Sequence, residues 1–245
     1  MTSGVKRLTT PPRARLVRSL AVWGAVITSG ACASLPPRTT QACVAADQTL
    51  TQELMGLTTI QAMPGGCASG TWAADCQQHT ERLRRLAGTC QTHVPTLMAN
   101  AAISYDAREF QRAQDYLNAI FSLRAVAPDA AALRARLALD EGNLPFALRF
   151  TSEQIALSPD HAGLREVRAA ALFGAGRLTE ASAELVTAER LGAPAWRVAF
   201  DRGLIAEASG QPAEAIRHFE TALNARPGWS AAQGRIRGLR AATGG

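Results

Sequence analysis

The sequence predicts an all-α protein, a solenoid of helix–turn–helix units preceded by a disulfide-stapled helical hairpin. Three observations carry that prediction. Four short segments, REFQRA from Arg108, GNLPFA from Gly142, GRLTEA from Gly176 and GQPAEA from Gly210, align without gaps, each starting 34 residues after the last. A composition dominated by Ala, Leu and Arg, with only 5% aromatic residues, suits close helix packing better than thick sheet cores. All five cysteines, Cys32, Cys43, Cys67, Cys76 and Cys90, fall in the first 90 residues, outside the periodic part.

The chain opens with a basic stretch containing Lys6, Arg7, Arg13, Arg15 and Arg18. An apolar run follows at 19–28 (SLAVWGAVIT), then the small residues Ser29-Gly30-Ala31 before Cys32-Ala33. That order is the order of a secretory signal, and the run is about half the ~20 residues that span a bilayer as a helix. Two processing routes fit. Ser-Gly-Ala-Cys resembles a bacterial lipoprotein signal, which implies residues 1–32 as the signal region, lipidation at Cys32 and a membrane anchor through acyl chains. Ala33, and no acidic retention residue, directly follows Cys32, and that resemblance then implies the outer membrane, facing the periplasm. Ordinary cleavage after Ala33 is the other route. Either leaves four cysteines in an oxidising compartment, where even parity favours disulfides. Residues 33–41, with Pro36 and Pro37, read as a short extended tether.

The net charge of +6 belongs mostly to that leader. Removing its five cations from the 26 basic residues leaves 21 against 20 acidic ones, a balance of +1. Such a balance gives no field to gather nucleic acid.

Residues 42–93 read as an antiparallel helical hairpin. Cys43, Ala46, Leu50, Leu54, Leu57 and Gln61 recur at helical spacing, and Met63-Pro64-Gly65-Gly66 breaks that helix. A second helix is expected to start at Thr71 as N-cap and to align Cys76, Leu83 and Cys90, with Leu86 and Ala87 beside them. Cys76 and Cys90 on one helix would stand about 21 Å apart, far beyond the ~7 Å reach of a disulfide. An antiparallel hairpin brings the start of its first helix to the end of its second. The expected pairs are therefore Cys43–Cys90 at the open end and Cys67–Cys76 at the tip. The spacings of 23, 8 and 13 intervening residues lack the close pairs of a zinc site. His79 and His93 read as surface residues.

Residues 94–229 hold four units. Ala101, Ala135, Ala169 and Gly203 are small at one 34-residue step, and Ala113, Ala147, Ala181 and Ala215 at another. Small residues on facing helices let two backbones approach, and stacking buries what one unit cannot. Together with Phe219 and the helix-stopping Pro227, this pattern resembles the tetratricopeptide repeat. The resemblance implies a right-handed superhelical solenoid whose first helices line a concave groove for partner proteins or peptide segments. On that register the groove residues are Met98, Ala102, Tyr105, Arg136, Leu139, Glu166, Ala170, Phe173, Arg197, Phe200, Leu204 and Glu207, an apolar strip with a few charges. The Lys and Asn set with which chaperone-binding members hold a C-terminal carboxylate is missing.

Arg108 stands where the other units place glycine. Arg134, Arg168 and Arg202 recur at a position that the family fills with Leu, as a ladder. They read either as a structural set meeting nearby carboxylates or carbonyls or as a recognition strip for an acidic partner. Residues 230–245 contain a polar-faced helix of the kind that caps a solenoid.

No phosphate loop, nucleophile elbow or metal-binding helix motif appears in the sequence, and Asp140-Glu141 read as a solvated helix end. The expectation is a non-catalytic scaffold with no cofactor. In length and layout the chain is similar to the Flp/Tad pilus assembly lipoproteins, which implies help in assembling a pilus, secretion or export machine. The alternative is a periplasmic accessory that regulates a cell-wall enzyme.

Overall fold

The computed structural model describes residues 41–243 except Pro64 and Ser69. The signal region with Cys32, the tether up to residue 40 and the final two glycines lie outside the described residues. Every regular element among the described residues is helical, and no described helix is long and apolar enough to cross a membrane.

The hairpin comprises α1 (Gln41–Val44), α2 (Ala46–Gln61) and α3 (Ala73–Thr89). Gln41, assigned to the tether by sequence, is already helical. α2 buries Ala46, Leu50, Glu53, Leu57 and Ile60, so its inner stripe runs through Glu53 and Ile60, and Leu54 and Gln61 face outward. The reason is a charge matched inside the hairpin. Glu53 is 5% exposed, its Oε2 lies 2.6 Å from His79 Nδ1, and Arg82 approaches its Oε1 at 3.5 Å. Gly56 makes room for this, because a Cβ there would stand 2.3 Å from the His79 ring. His79 is thus a partner of a buried acid and no surface residue. α3 starts one residue later than expected, with Trp72 at the N-cap position in place of Thr71. It buries Cys76, Leu83, Leu86 and Ala87.

Disulfides join Cys43 to Cys90 across the open end and Cys67 to Cys76 at the tip, with Cα separations of 5.4 and 5.7 Å. Further bonds run from the hairpin into the first repeat. Buried Asn100 donates to the Leu83 carbonyl at 2.9 Å, and His93 lies 3.1 Å from Asp47 and 2.6 Å from Thr96. His93, too, is a linker between elements.

Four helix pairs follow: α4 (Val94–Asp106) with α5 (Phe110–Leu123), and α6 (Pro128–Asp140) with α7 (Leu144–Leu157). Next come α8 (Ala162–Gly174) with α9 (Leu178–Arg190), and α10 (Ala195–Ala208) with α11 (Pro212–Ala225). The turn inside each pair needs a left-handed residue. Gly142, Gly176 and Gly210 supply it at φ 75°, 72° and 70°, and Arg108 adopts φ 61° at the same place. Pro145 and Pro212 sit in the first turn of their helices, where a missing N–H is harmless.

Within each pair the small residues lie fully inside: Ala113, Ala147, Ala181 and Ala215 are all 0% exposed. Size is balanced across the pair. Leu117, Thr151, Leu185 and Phe219 follow one another at steps of 34, and all four are buried. The bulkiest of them, Phe219, belongs to the pair with Gly203, where a Cβ would stand 2.5 Å from its ring. The last helix, α12 (Ser230–Thr243), buries Ala232 and Ile236. Its Arg235 and Arg240 reach back to Glu207 and Glu220 at 3.2 and 2.7 Å, closing the end of the stack.

Candidate functional site: the face shared by the first helices

The first helices α4, α6, α8 and α10 neighbour one another along the stack, so side chains at one register form a continuous face. At its centre lies Glu166 of α8, 5% exposed. Arg136 of α6 donates through Nη2 to its Oε1 at 2.7 Å, and Arg197 of α10 approaches its Oε2 through Nη1 at 3.5 Å. Three repeats are tied through one carboxylate. At one end of the face the Tyr105 hydroxyl donates to Asp140, which Arg108 approaches at 3.6 Å. Burial, and then the Asp140 carboxylate, push the phenol above its ordinary range. Asp140, read from sequence as a solvated helix end, therefore belongs to the face.

Two more acids point to this network. Asp201 of α10 is shifted up to about 7, first by burial and then by Glu166, with Arg136 and Arg197 opposing. Asp106, the last residue of α4, is also raised by burial, against Arg136, Arg197 and Arg226. Neither acid makes an ion pair with a described residue. Asp201 also lines a cavity of about 30 Å³ with Ala169, Ala170, Phe173, Leu185, Leu204 and Ile205, more than the ~10–15 Å³ that one water requires.

The far end of the face is aromatic. The Arg197 and Arg226 guanidinium carbons stand 5.0 and 4.5 Å from the Trp196 ring centre, within cation–π range. Trp229 meets Trp196 edge-on at 4.9 Å and Phe200 at 4.4 Å.

The expected groove residues divide into two sets. Arg136, Glu166 and Arg197 meet directly. Met98, Ala102 and Tyr105 pack beside the cluster formed by α4, α5 and the start of α6, and Leu139 beside those of α6 to α8. Phe173 packs beside the α8–α10 cluster. Phe200 and Leu204 lie against the α11–α12 core, with Phe200 also 5.3 Å from Phe219. Ala170 lines the small cavity. Glu207 is taken up by Arg235 of the capping helix. The face is a charged floor with half-buried apolar flanks, where the sequence led to an apolar strip with occasional charges.

The arginine ladder turns toward second helices. Arg168 meets Glu184 of α9 at 3.0 Å and also Ser152 of α7. Arg202 holds Glu189 of α9 through two bonds of 2.7 and 3.2 Å. Arg134 has a buried Nη1 without a hydrogen-bond partner among the described residues. The structural role fits Arg168 and Arg202, because their guanidinium groups are occupied.

Sequence reading missed Asp106, Asp201, Trp196, Arg226 and Trp229 as parts of the face. For Asp201 a signal was present. The residues at its 34-residue step are Ala99, Leu133 and Val167, so one acid interrupts an apolar column. Glu166 likewise interrupts Met98, Ala132 and Phe200, and Arg136 interrupts Ala102, Ala170 and Leu204. Trp196 and Trp229 stand 33 residues apart, one short of the repeat, which hides their meeting.

No family model matches the sequence, and no curated protein matches it. Solved structures do resemble the fold. A tetratricopeptide repeat protein from Parabacteroides merdae aligns over 80% of this chain and 78% of its own, with TM-score 0.60 and 16% identity. A thermophilic protein of the same repeat class from Thermus thermophilus aligns over 80% and 98%, with TM-score 0.62 and 14% identity. In the APC/C hetero-tetramer Cut9-Hcn1 the match covers 80% of this chain and 40% of that one, with TM-score 0.57 and 13% identity. The fold is thus that of a tetratricopeptide-type solenoid.

Proposed function

We propose that this chain is an exported, non-catalytic interaction scaffold of the bacterial cell envelope. Its first-helix face holds segments of partner proteins while a pilus, secretion or export machine assembles. Cys32, when lipidated, ties it to the outer membrane. The observation that carries the binding reading is the Arg136–Glu166–Arg197 bridge, in which buried Glu166 is shared by two half-exposed arginines on neighbouring repeats. A stack of repeats needs no such bridge, since the apolar columns beside it pack without charge, and burying ions is costly unless they are well paired. Compartment and anchoring rest on the basic, apolar, small-residue order of the leader and on two disulfides, which persist in oxidising surroundings.

The test compares wild type with Arg136→Ala/Arg197→Ala, each expressed with its own leader, by cross-linking in whole cells and identification of the captured proteins. The expected result is a defined set of envelope proteins held by wild type and lost from the variant, whose far-ultraviolet circular dichroism stays helical. Equal capture by both chains would overturn the groove assignment. Mass measurement of the mature N-terminus tests the anchor: an acylated Cys32 supports it, and a chain starting at Ser34 refutes it.

A further inference from the structure

The outward face of α2 carries almost no charge. From Gln48 to Trp72 the only charged residue is Glu53, and Glu53 is turned inward to His79 and Arg82. Other outward faces are unlike it: α3 exposes Asp75, Glu81 and Arg85, α7 exposes Arg149 and Glu153, and α9 exposes Glu180 and Glu189. What α2 exposes is Gln48, Thr51, Gln52, Met55, Thr58 and Thr59, with Met55 58% exposed. The hydroxyls on this face are already spent. Thr51 donates to the Asp47 carbonyl, Thr58 to that of Leu54 and Thr59 to that of Met55, each at 2.8 Å. Covering these threonines therefore leaves no hydroxyl unpaired, and the cost of burying a polar group is largely avoided.

The face is also symmetric about Met55. Gln52 and Thr58 stand three residues to either side of it, and Thr51 and Thr59 four. The buried stripe keeps the same symmetry, with Leu50 and Ile60 at five. A patch that matches itself under a two-fold rotation is what an isologous contact requires, and an uncharged one meets its copy without repulsion. We infer that α2 is a self-association surface, through which two copies of this chain pair antiparallel with the two-fold axis at Met55. Met55 then meets Met55 of the second copy, Gln52 lies beside Thr58, and Thr51 beside Thr59. Asp47, the exposed charge at the start of α2, falls opposite Met63 and meets no like charge. The 16 residues of α2 span about 24 Å, and one helix pair of that length sits at the low end of stable interfaces, below ~1,200 Å². The dimer is accordingly weak and concentration-dependent. This surface shares no residue with the first-helix face, so the inference does not depend on the groove reading.

Cysteine cross-linking traps such a pair and tests it. The full chain is expressed with its own leader, whole cells are mildly oxidised, and dimers are read on non-reducing gels. Met55→Cys should become largely a disulfide-linked dimer that reductant releases, whereas wild type and Gln77→Cys on α3 stay monomeric. Gln52→Cys and Thr58→Cys should each stay monomeric alone, since an axis at Met55 sets each about 9 Å along the helix from its own copy, beyond the ~7 Å reach of a disulfide. Expressed together, the Gln52→Cys and Thr58→Cys chains should link. Adding Met55→Lys to both, which sets two cations on the axis, should abolish that link. All these positions are exposed, so the substitutions leave the packed interior alone. If neither Met55→Cys nor the mixed pair links, or if Gln77→Cys links as readily, the inference is overturned. Linkage of Gln52→Cys to itself would overturn the antiparallel register. A Met55→Cys chain captured mainly by a different protein would overturn the second copy as occupant.

Discussion

The hairpin and the fourth repeat each set an acid against their packed interior, and they treat it in opposite ways. In the hairpin, Glu53 is matched inside the same pair of helices by His79, with Arg82 beyond, and Gly56 clears the space. In the fourth repeat, Asp201 is half-buried with no ion pair among the described residues, next to a small cavity, and Arg136 and Arg197 only partly oppose the rise that burial causes. The hairpin is also closed by two covalent bonds, whereas the repeat stands on the fit of Phe219 over Gly203. The difference lies in pairing: the hairpin acid has its counter-ion on the neighbouring helix, whereas Asp201 has no ion pair among the described residues and keeps its charge at the expense of folding.

The largest expected effect breaks the covalent side of the comparison. Replacing Cys43 and Cys90 together by serine should remove roughly 4 kcal/mol of hairpin stability on the loop-entropy account, against roughly 3 kcal/mol for the shorter link. Hydrogen exchange checks this: amides of α2 and α3 should lose protection, and those of α8–α11 should keep it.

Next comes the unmatched acid. A carboxyl raised from 3.8 to about 7 on folding binds its proton more tightly in the folded chain. The folded state then holds its full advantage below pH 3.8 and loses it progressively up to about pH 7. Asp201→Asn should therefore match wild type at low pH and exceed it at pH 8 by up to ~4 kcal/mol. Urea unfolding of both chains across that range reads the difference. A constant offset would place the effect elsewhere.

The fit of sizes gives a smaller signal. Gly203→Ala should lower stability by about 1–3 kcal/mol through overpacking against Phe219. Adding Phe219→Leu should recover most of that, since it recreates the combination found at Ala169 and Leu185. A thermal-unfolding double-mutant cycle checks the coupling. The smallest effect is at Arg108, whose φ of 61° strains a side chain where three repeats use glycine. Arg108→Gly should stabilise by up to ~1 kcal/mol, because its 3.6 Å contact with Asp140 is largely exposed and exposed pairs contribute little. Denaturant midpoints of the two chains report it.

The repeat architecture was legible because its signal is periodic. Ala135 and Ala169 at one step, and Gly142 and Gly176 at another, recur for a packing or backbone reason that each unit restates. The face was less legible because its parts are single departures from the period. Asp201 and Glu166 show only when the repeats are compared column by column, and their meeting with Arg136 depends on how far one helix steps past the next. Glu53 and His79 were hidden differently. They lie on separate helices whose rotation is set by Gly56, and a stripe drawn through Leu54 looked equally apolar.

The most direct test of the binding assignment is site-specific photo-crosslinking of the chain in whole cells, with the probe placed in turn on first helices, second helices and the hairpin. The account predicts cross-links to partner proteins from α4, α6, α8 and α10, strongest beside Arg136, Glu166 and Arg197. Cross-links confined to the second helices α5, α7, α9 and α11, or to the hairpin, would contradict it.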